Sequence, residues 1–250
     1  MISVRQQSVA RPAGERIIIA LDVDNPGSAR QIVNELKDQV GAFKIGLQLF
    51  SCTGGAFVRE LADAGVKVFL DLKFHDIPNT VSKASVEAAK MGAWMFNVHA
   101  AGGTEMMERA VSEMQEFCTR SNIDVPKMIA VTVLTSTDAN SLREVGIIND
   151  VDRQVLLLAK LASECGLDGV VASSHEAAAI KQEIGQDLLV VTPGIRPKFG
   201  TNDDQKRVNT PTGALLNGSD LIVIGRPVTE AAERSITVKE ICREIEAILR

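Results

Sequence analysis

Short apolar runs alternate with longer amphipathic stretches along the chain. The runs are Ile17–Leu21, Ala42–Ile45, Val66–Leu70, Trp94–Val98, Met128–Val133, Gly169–Ala172, Leu188–Val191 and Leu221–Ile224. They are rich in Val and Ile and mostly lack inside–outside alternation, the pattern of strands covered on both faces. Between them the spacing predicts helices over Pro26–Val40, Gly54–Ala64, Thr80–Met91, Gly102–Arg120, Asp152–Cys165, Ser174–Ile184, Thr212–Asn217 and Val238–Leu249. A further short helix is expected over Asn140–Val145. Pro26 suits a first helical turn and Gly65 a C-cap. Eight strands separated by helices imply a parallel sheet with right-handed crossovers. Eight such units in 250 residues match a closed (β/α)8 TIM barrel. The competing open, doubly wound sheet lacks its glycine fingerprint after the first run. We expect residues 1–250 to form a single barrel domain, with 1–14 a loose, polar N-terminal leader.

In such a barrel the site forms where the strands end. Those ends carry Asp22 and Asp24, Lys44, Asp71 and Lys73, Asn97 and His99, Thr132 and Thr135, and Ser173 and Ser174. The last two strands lead to Pro193, Gly194 and Arg196, and to Gly225 and Arg226. The densest cluster is Asp71-Leu72-Lys73, with Asp76 after a short turn. Residues two apart on a strand share a side, so Asp71 and Lys73 point together. A lysine between carboxylates stays protonated, which suits a general acid better than a Schiff-base nucleophile. A salt-bridge network that merely closes the barrel top is the plainer reading, but ion pairs of that kind are weak stabilisers. The glycines and arginines after the last two strands suit a phosphate, and the polar stretch Pro197–Thr210 suits a lid over it.

Composition narrows the partners. The formal net charge is −5 with no basic run, which argues against a nucleic-acid polymer. No apolar run reaches the length of a membrane span. Cys52, Cys118, Cys165 and Cys242 have no paired or metal-ligand spacing and read as reduced, mostly buried thiols of a cytoplasmic protein. His75, His99 and His175 are not spaced as ligands and read as structural. Trp94, Met106 and Met107 read as packing.

The segment F-L-D-L-K-F-H-D-I-P-N-T from Phe69 to Thr80 carries a D-x-K-x-x-D core. It is supported by F-K-I-G at Phe43, N-V-H-A-A-G-G at Asn97, V-T-V-L-T-S at Val131 and T-P-G-I-R at Thr192. On these motifs the chain resembles the orotidine 5′-phosphate decarboxylase family over nearly its whole length after the leader. The resemblance implies a homodimeric lyase that converts orotidine 5′-monophosphate to UMP in pyrimidine biosynthesis, with no metal and no organic cofactor. It implies that Lys73 protonates C6 as carbon dioxide leaves, that Asp71 lies beside the departing carboxylate, and that Lys44 and Asp76 complete the network. Asp76 would come from the partner subunit, as would Thr80, with Ile77 beside it. Asp22 and Lys44 would hold the ribose, Thr135 and Ser136 would face the pyrimidine, and Pro193, Arg196, Gln205, Gly225 and Arg226 would serve the phosphate end.

Two alternatives stand beside this. Sugar-phosphate decarboxylases and aldolases with the same D-x-K-x-x-D core use magnesium and carry an acidic residue where Lys44 stands, so Lys44 argues against them. A non-catalytic phosphate-binding barrel would need Gly225 and Arg226 but not the Asp–Lys alternation.

Overall fold

The computed structural model of the protein describes residues 12–197 and 209–249. Eight parallel strands close into a barrel in chain order: β1 (Ile17–Ala20), β2 (Ala42–Gly46), β3 (Val68–Phe74), β4 (Met95–His99), β5 (Lys127–Val131), β6 (Gly169–Val171), β7 (Leu189–Thr192) and β8 (Leu221–Ile224), with β8 pairing β1. The helices between them are α1 (Pro26–Leu36), α2 (Leu47–Asp63), α3 (Pro78–Lys90), α4 (Gly103–Ser121), α5 (Ala139–Glu144), α6 (Val151–Glu164), α7 (Ser174–Glu183), α8 (Pro211–Leu216), α9 (Arg226–Thr229) and α10 (Arg234–Leu249). The expected (β/α)8 architecture is the one observed.

The uninterrupted apolar runs are explained by two cores, one on each face of the sheet. Ile17, Ile19 and Leu21 pack outward with the helices, while Ile18 and Ala20 pack inward with Ala42, Phe69, Met95, Ile129, Val191, Leu221 and Val223. Alternation therefore exists in direction but not in polarity, because both directions exclude water. Met106 and Met107 are fully buried, as packing residues should be.

Local signals set the helix ends. The Asn25 side chain accepts a hydrogen bond from Ser28 N–H, with Pro26 in the first turn of α1. After α2, Gly65 takes φ 78°, a left-handed turn that a side chain would resist. Several boundaries differ from expectation, among them the end of α1, at Leu36 rather than Val40. α2 starts at Leu47 rather than Gly54, because Gly54 interrupts it with φ 65° and ψ −170°. α10 starts at Arg234 rather than Val238, and α9 is too short to show a period in sequence. Most of the expected leader, residues 1–11, lies outside the described residues, as does most of the expected lid. The packed chain nonetheless begins before residue 15. Ala13 is buried, and any side chain at Gly14 would collide with the Gln39 carbonyl.

The end of the barrel opposite the strand C-termini is fastened by one lysine. Lys181 Nζ donates to the carbonyls of Gln186 and Leu188 and to Asp220 Oδ2 at 2.7 Å, and Asp220 also accepts from Val190 N–H. This ties α7 to the starts of β7 and β8, and the ammonium is almost wholly buried with its donors filled. Lys181→Met is expected to lower stability by about 2–3 kcal/mol, below the range for a fully buried pair because Asp220 keeps some solvent. A urea midpoint unchanged from wild type would contradict this.

Candidate active site

The strand C-termini bring four charged side chains into a row. Lys44 Nζ lies 3.2 Å from Asp22 Oδ1 and 3.3 Å from Asp71 Oδ2, and Lys73 Nζ lies 2.7 Å from Asp71 Oδ1. The row runs Asp22, Lys44, Asp71, Lys73 across β1, β2 and β3, as strand pairing dictates: Ala20 lies opposite Lys44, and Gly46 opposite Asp71. Its middle is the most enclosed part: the Lys44 and Asp71 side chains are 11% and 14% exposed, against 55% for Asp22 at one end and 27% for Lys73 at the other. Burial pushes the Asp71 carboxyl upward, but Lys44, then Lys73 and the Asn97 amide, outweigh it and hold the group below its ordinary range.

Asp71 and Lys73 do meet, though not by simple strand alternation. β3 is irregular: its register on β4 shifts between Leu70 and Phe74, and Lys73 sits at φ 53°. A left-handed conformation costs a residue with a Cβ roughly 1–2 kcal/mol. Asn97, almost wholly buried on β4, spans this irregularity. Its Oδ1 accepts from Lys73 N–H at 2.7 Å, and its amide nitrogen donates to Asp71 Oδ1 at 2.7 Å. Asn97 was expected at a strand end but without a role, and Gly46 is a contributor that residue types alone did not flag. A Cβ there would stand 3.1 Å from Lys44 Nζ and 3.7 Å from Asp22 Oδ1.

Beside the row is a cavity of about 230 Å³, lined by Lys44, Asp71 and Lys73 on one side and by Thr135, Ser136 and Pro193 on another, over a floor of Phe69, Val131, Val171, Val191 and Val223. An apolar floor with a charged wall holds a flat ring while fixing its orientation. Six of the expected site residues thus share one hollow, and Asp22 joins them through Lys44.

The remaining expected residues do not line that hollow. Arg196, Gly225 and Arg226 follow β7 and β8 at the same barrel end, with both arginines exposed. Gln205 lies outside the described residues. Asp76, Ile77 and Thr80 are exposed at the start of α3. Asp76 Oδ1 accepts from Ile77 N–H at 2.6 Å, and among the described residues its carboxylate makes no ion pair. The His75 and His99 rings meet at a tilt with centroids 5.3 Å apart, and burial, then the neighbouring His75 and Lys73, hold the His99 imidazole below its usual range. Among the described residues no cluster of three His, Cys, Asp or Glu side chains is arranged to hold a metal ion. The four cysteines are free: Cys118 and Cys165 buried, Cys242 half-buried and Cys52 exposed.

Comparison with known proteins bears on this arrangement. Residues 15–241 match the model of the family described as "Orotidine 5′-phosphate decarboxylase / HUMPS family". A protein of Pseudoalteromonas translucida named orotidine 5′-phosphate decarboxylase is 48% identical over 232 residues, covering 93% of this chain and 97% of its own. One of Syntrophotalea carbinolica with the same name is 45% identical over 237 residues, covering 95% and 97%. The crystal structure of orotidine 5′-phosphate decarboxylase from Lactobacillus acidophilus superimposes with a TM-score of 0.81 at 38% identity, covering 94% of this chain and 99% of that one.

Proposed function

This chain belongs to the orotidine 5′-phosphate decarboxylase / HUMPS family and is a carboxy-lyase, and from that membership we propose that it decarboxylates orotidine 5′-monophosphate to UMP with its own side chains alone. The observation that carries the reading is the Asp71–Lys73 contact of 2.7 Å at the wall of the 230 Å³ cavity. The pyrimidine lies on the valine floor with C6 toward Lys73, and Thr135 and Ser136 meet its polar edge. The C6–carboxylate bond breaks, carbon dioxide leaves, and the electron pair stays on C6. The Lys73 ammonium stabilises that developing charge and then transfers its proton to C6; solvent returns a proton to the amine. Asp71 aims the Lys73 side chain, and sits where the substrate carboxylate departs.

Asp22 and Lys44 hold the ribose hydroxyls. Pro193, Arg196, Gln205, Gly225 and Arg226 take the phosphate end, and binding energy gained there is used at the reacting carbon. Asp76 and Thr80, with Ile77 between them, serve the second subunit of a homodimer. The exposure of all three supports this, as does the absence of an ion pair to Asp76 among the described residues. Free cysteines fit a cytoplasmic enzyme of pyrimidine synthesis.

The test is release of carbon dioxide from orotidine 5′-monophosphate by the purified protein in a chelating buffer. Full turnover is expected. No turnover by an intact dimer would end the decarboxylase reading, and turnover only on adding magnesium would move the protein to the sugar-phosphate relatives.

A further inference from the structure

Buried Asn97 is, we propose, a positioning residue of the decarboxylation, a keystone that sets Asp71 and Lys73 relative to each other across the irregularity in β3. The inference rests on the reading above, in which those two side chains flank the reacting carbon.

The argument begins with geometry that β3 does not provide for itself. A regular strand would place Asp71 and Lys73 on one side with their backbones paired to β4. Here the pairing lapses between Leu70 and Phe74, and the Lys73 backbone turns left-handed. The Lys73 N–H therefore has no place in the ladder and without another partner would be an unsatisfied donor in a half-buried setting. Asn97 Oδ1 accepts it at 2.7 Å. The other end of the same amide donates to Asp71 Oδ1 at 2.7 Å, the oxygen that also receives Lys73 Nζ. One planar group thus fixes the backbone of the proton donor and the carboxylate that orients its ammonium.

Both hydrogen bonds define the amide's orientation, and no other side chain of that size offers an acceptor and a neutral donor at those two points. Leucine offers neither. Aspartate keeps the acceptor but sets a second negative oxygen against Asp71. Other charges face the pair as well: Lys73 and Lys44 bind Asp71, Asp22 binds Lys44, and His99, at the end of β4 with the His75 ring against it, feels the Lys73 charge.

Two variants separate positioning from mere support of the fold. Asn97→Leu is expected to lower kcat by about 100-fold, the scale of an ångström misplacement at a reacting centre, with UMP affinity within a few-fold of wild type. Asn97→Asp is expected to show a pH profile of its own. Two carboxylates within hydrogen-bond reach cannot both ionise easily, so they share a proton at acidic pH. Lys44 and Lys73 keep the charge on Asp71, so the proton resides on residue 97. That neutral acid imitates the amide, donating to Asp71 and accepting from Lys73 N–H. As pH rises the shared proton is lost, the oxygens repel, and kcat falls across a range where wild-type kcat is flat, while UMP binding persists. A profile for Asn97→Asp parallel to wild type, or kcat within threefold of wild type in Asn97→Leu, would overturn the inference. If Asn97→Leu does not fold, the Asn97→Asp profile still decides. Wild-type protein runs in the same assay: a silent wild type refutes the decarboxylase reading, whereas an active wild type with indifferent variants refutes only the role of Asn97.

Discussion

Lys73→Ala is expected to lower kcat by at least about 10⁴-fold, because in the proposed mechanism one ammonium supplies both the electrostatic stabilisation of the carbanion and the proton that quenches it. Removing it also leaves Asp71 facing the substrate carboxylate with only Lys44 and Asn97 to hold its charge. Nucleotide binding has other sources, in the valine floor and the basic rim, so UMP should still bind. Single-turnover rates and UMP titration of the same preparation check both halves. Turnover near wild type would remove Lys73 as the acid, and loss of binding in step with rate would make its role a matter of affinity instead.

Mixing two damaged proteins should recover activity that neither has. Asp71→Asn and Asp76→Asn are each expected to be severely impaired, since one removes the partner of Lys73 and the other the carboxylate proposed to reach in from the second subunit. In a heterodimer of the two, one site carries both lesions and the other carries neither. Equal mixing with free subunit exchange makes half of the dimers heterodimers, so activity should return to about a quarter of wild type, given two-fold symmetry with shared sites. Carbon dioxide release after co-refolding, with heterodimers verified by tagged subunits, is the measurement. No recovery in verified heterodimers would place Asp76 outside the neighbouring site. Within a single chain, Asp76 is exposed and bonded to Ile77 N–H.

Much of this was readable from the order of residues. Each apolar run became a strand because both faces of the sheet are covered, so no polar position interrupts the run. What blurred the boundaries was the site itself. The third run seemed to stop at Leu70, whereas β3 continues to Phe74, because Asp71 and Lys73 are strand residues turned toward the mouth. The charged row could be inferred from residue type, since Asp22, Lys44, Asp71 and Lys73 stand at strand ends. Asn97 could not be given a role in the same way. Its function depends on a register shift in the neighbouring strand and on one positive φ, neither of which leaves a mark in local sequence. Gly46 was hidden for a related reason: what its missing side chain avoids is the ammonium of Lys44 and the carboxylate of Asp22, which follows the neighbouring strand β1. Asp76 belongs to a third kind, a residue whose proposed role lies in a second copy of the chain.

The row of two carboxylates and two ammonium groups has a consequence for how an anion finds the mouth. Taken as ionised groups, Asp22, Lys44, Asp71 and Lys73 sum to no net charge, and the whole chain carries −5. A neutral string of alternating charges has a field that dies away within a few ångströms, strong for a ring already docked and nearly silent to one still in solution. Among the described residues, the exposed Arg196 and Arg226 at the rim are the cations proposed to attract a phosphorylated ligand at long range. Charges in that setting are screened over about 8–10 Å at moderate ionic strength. Added salt should then slow capture of the ligand while leaving the chemical step, shielded beside the row, untouched.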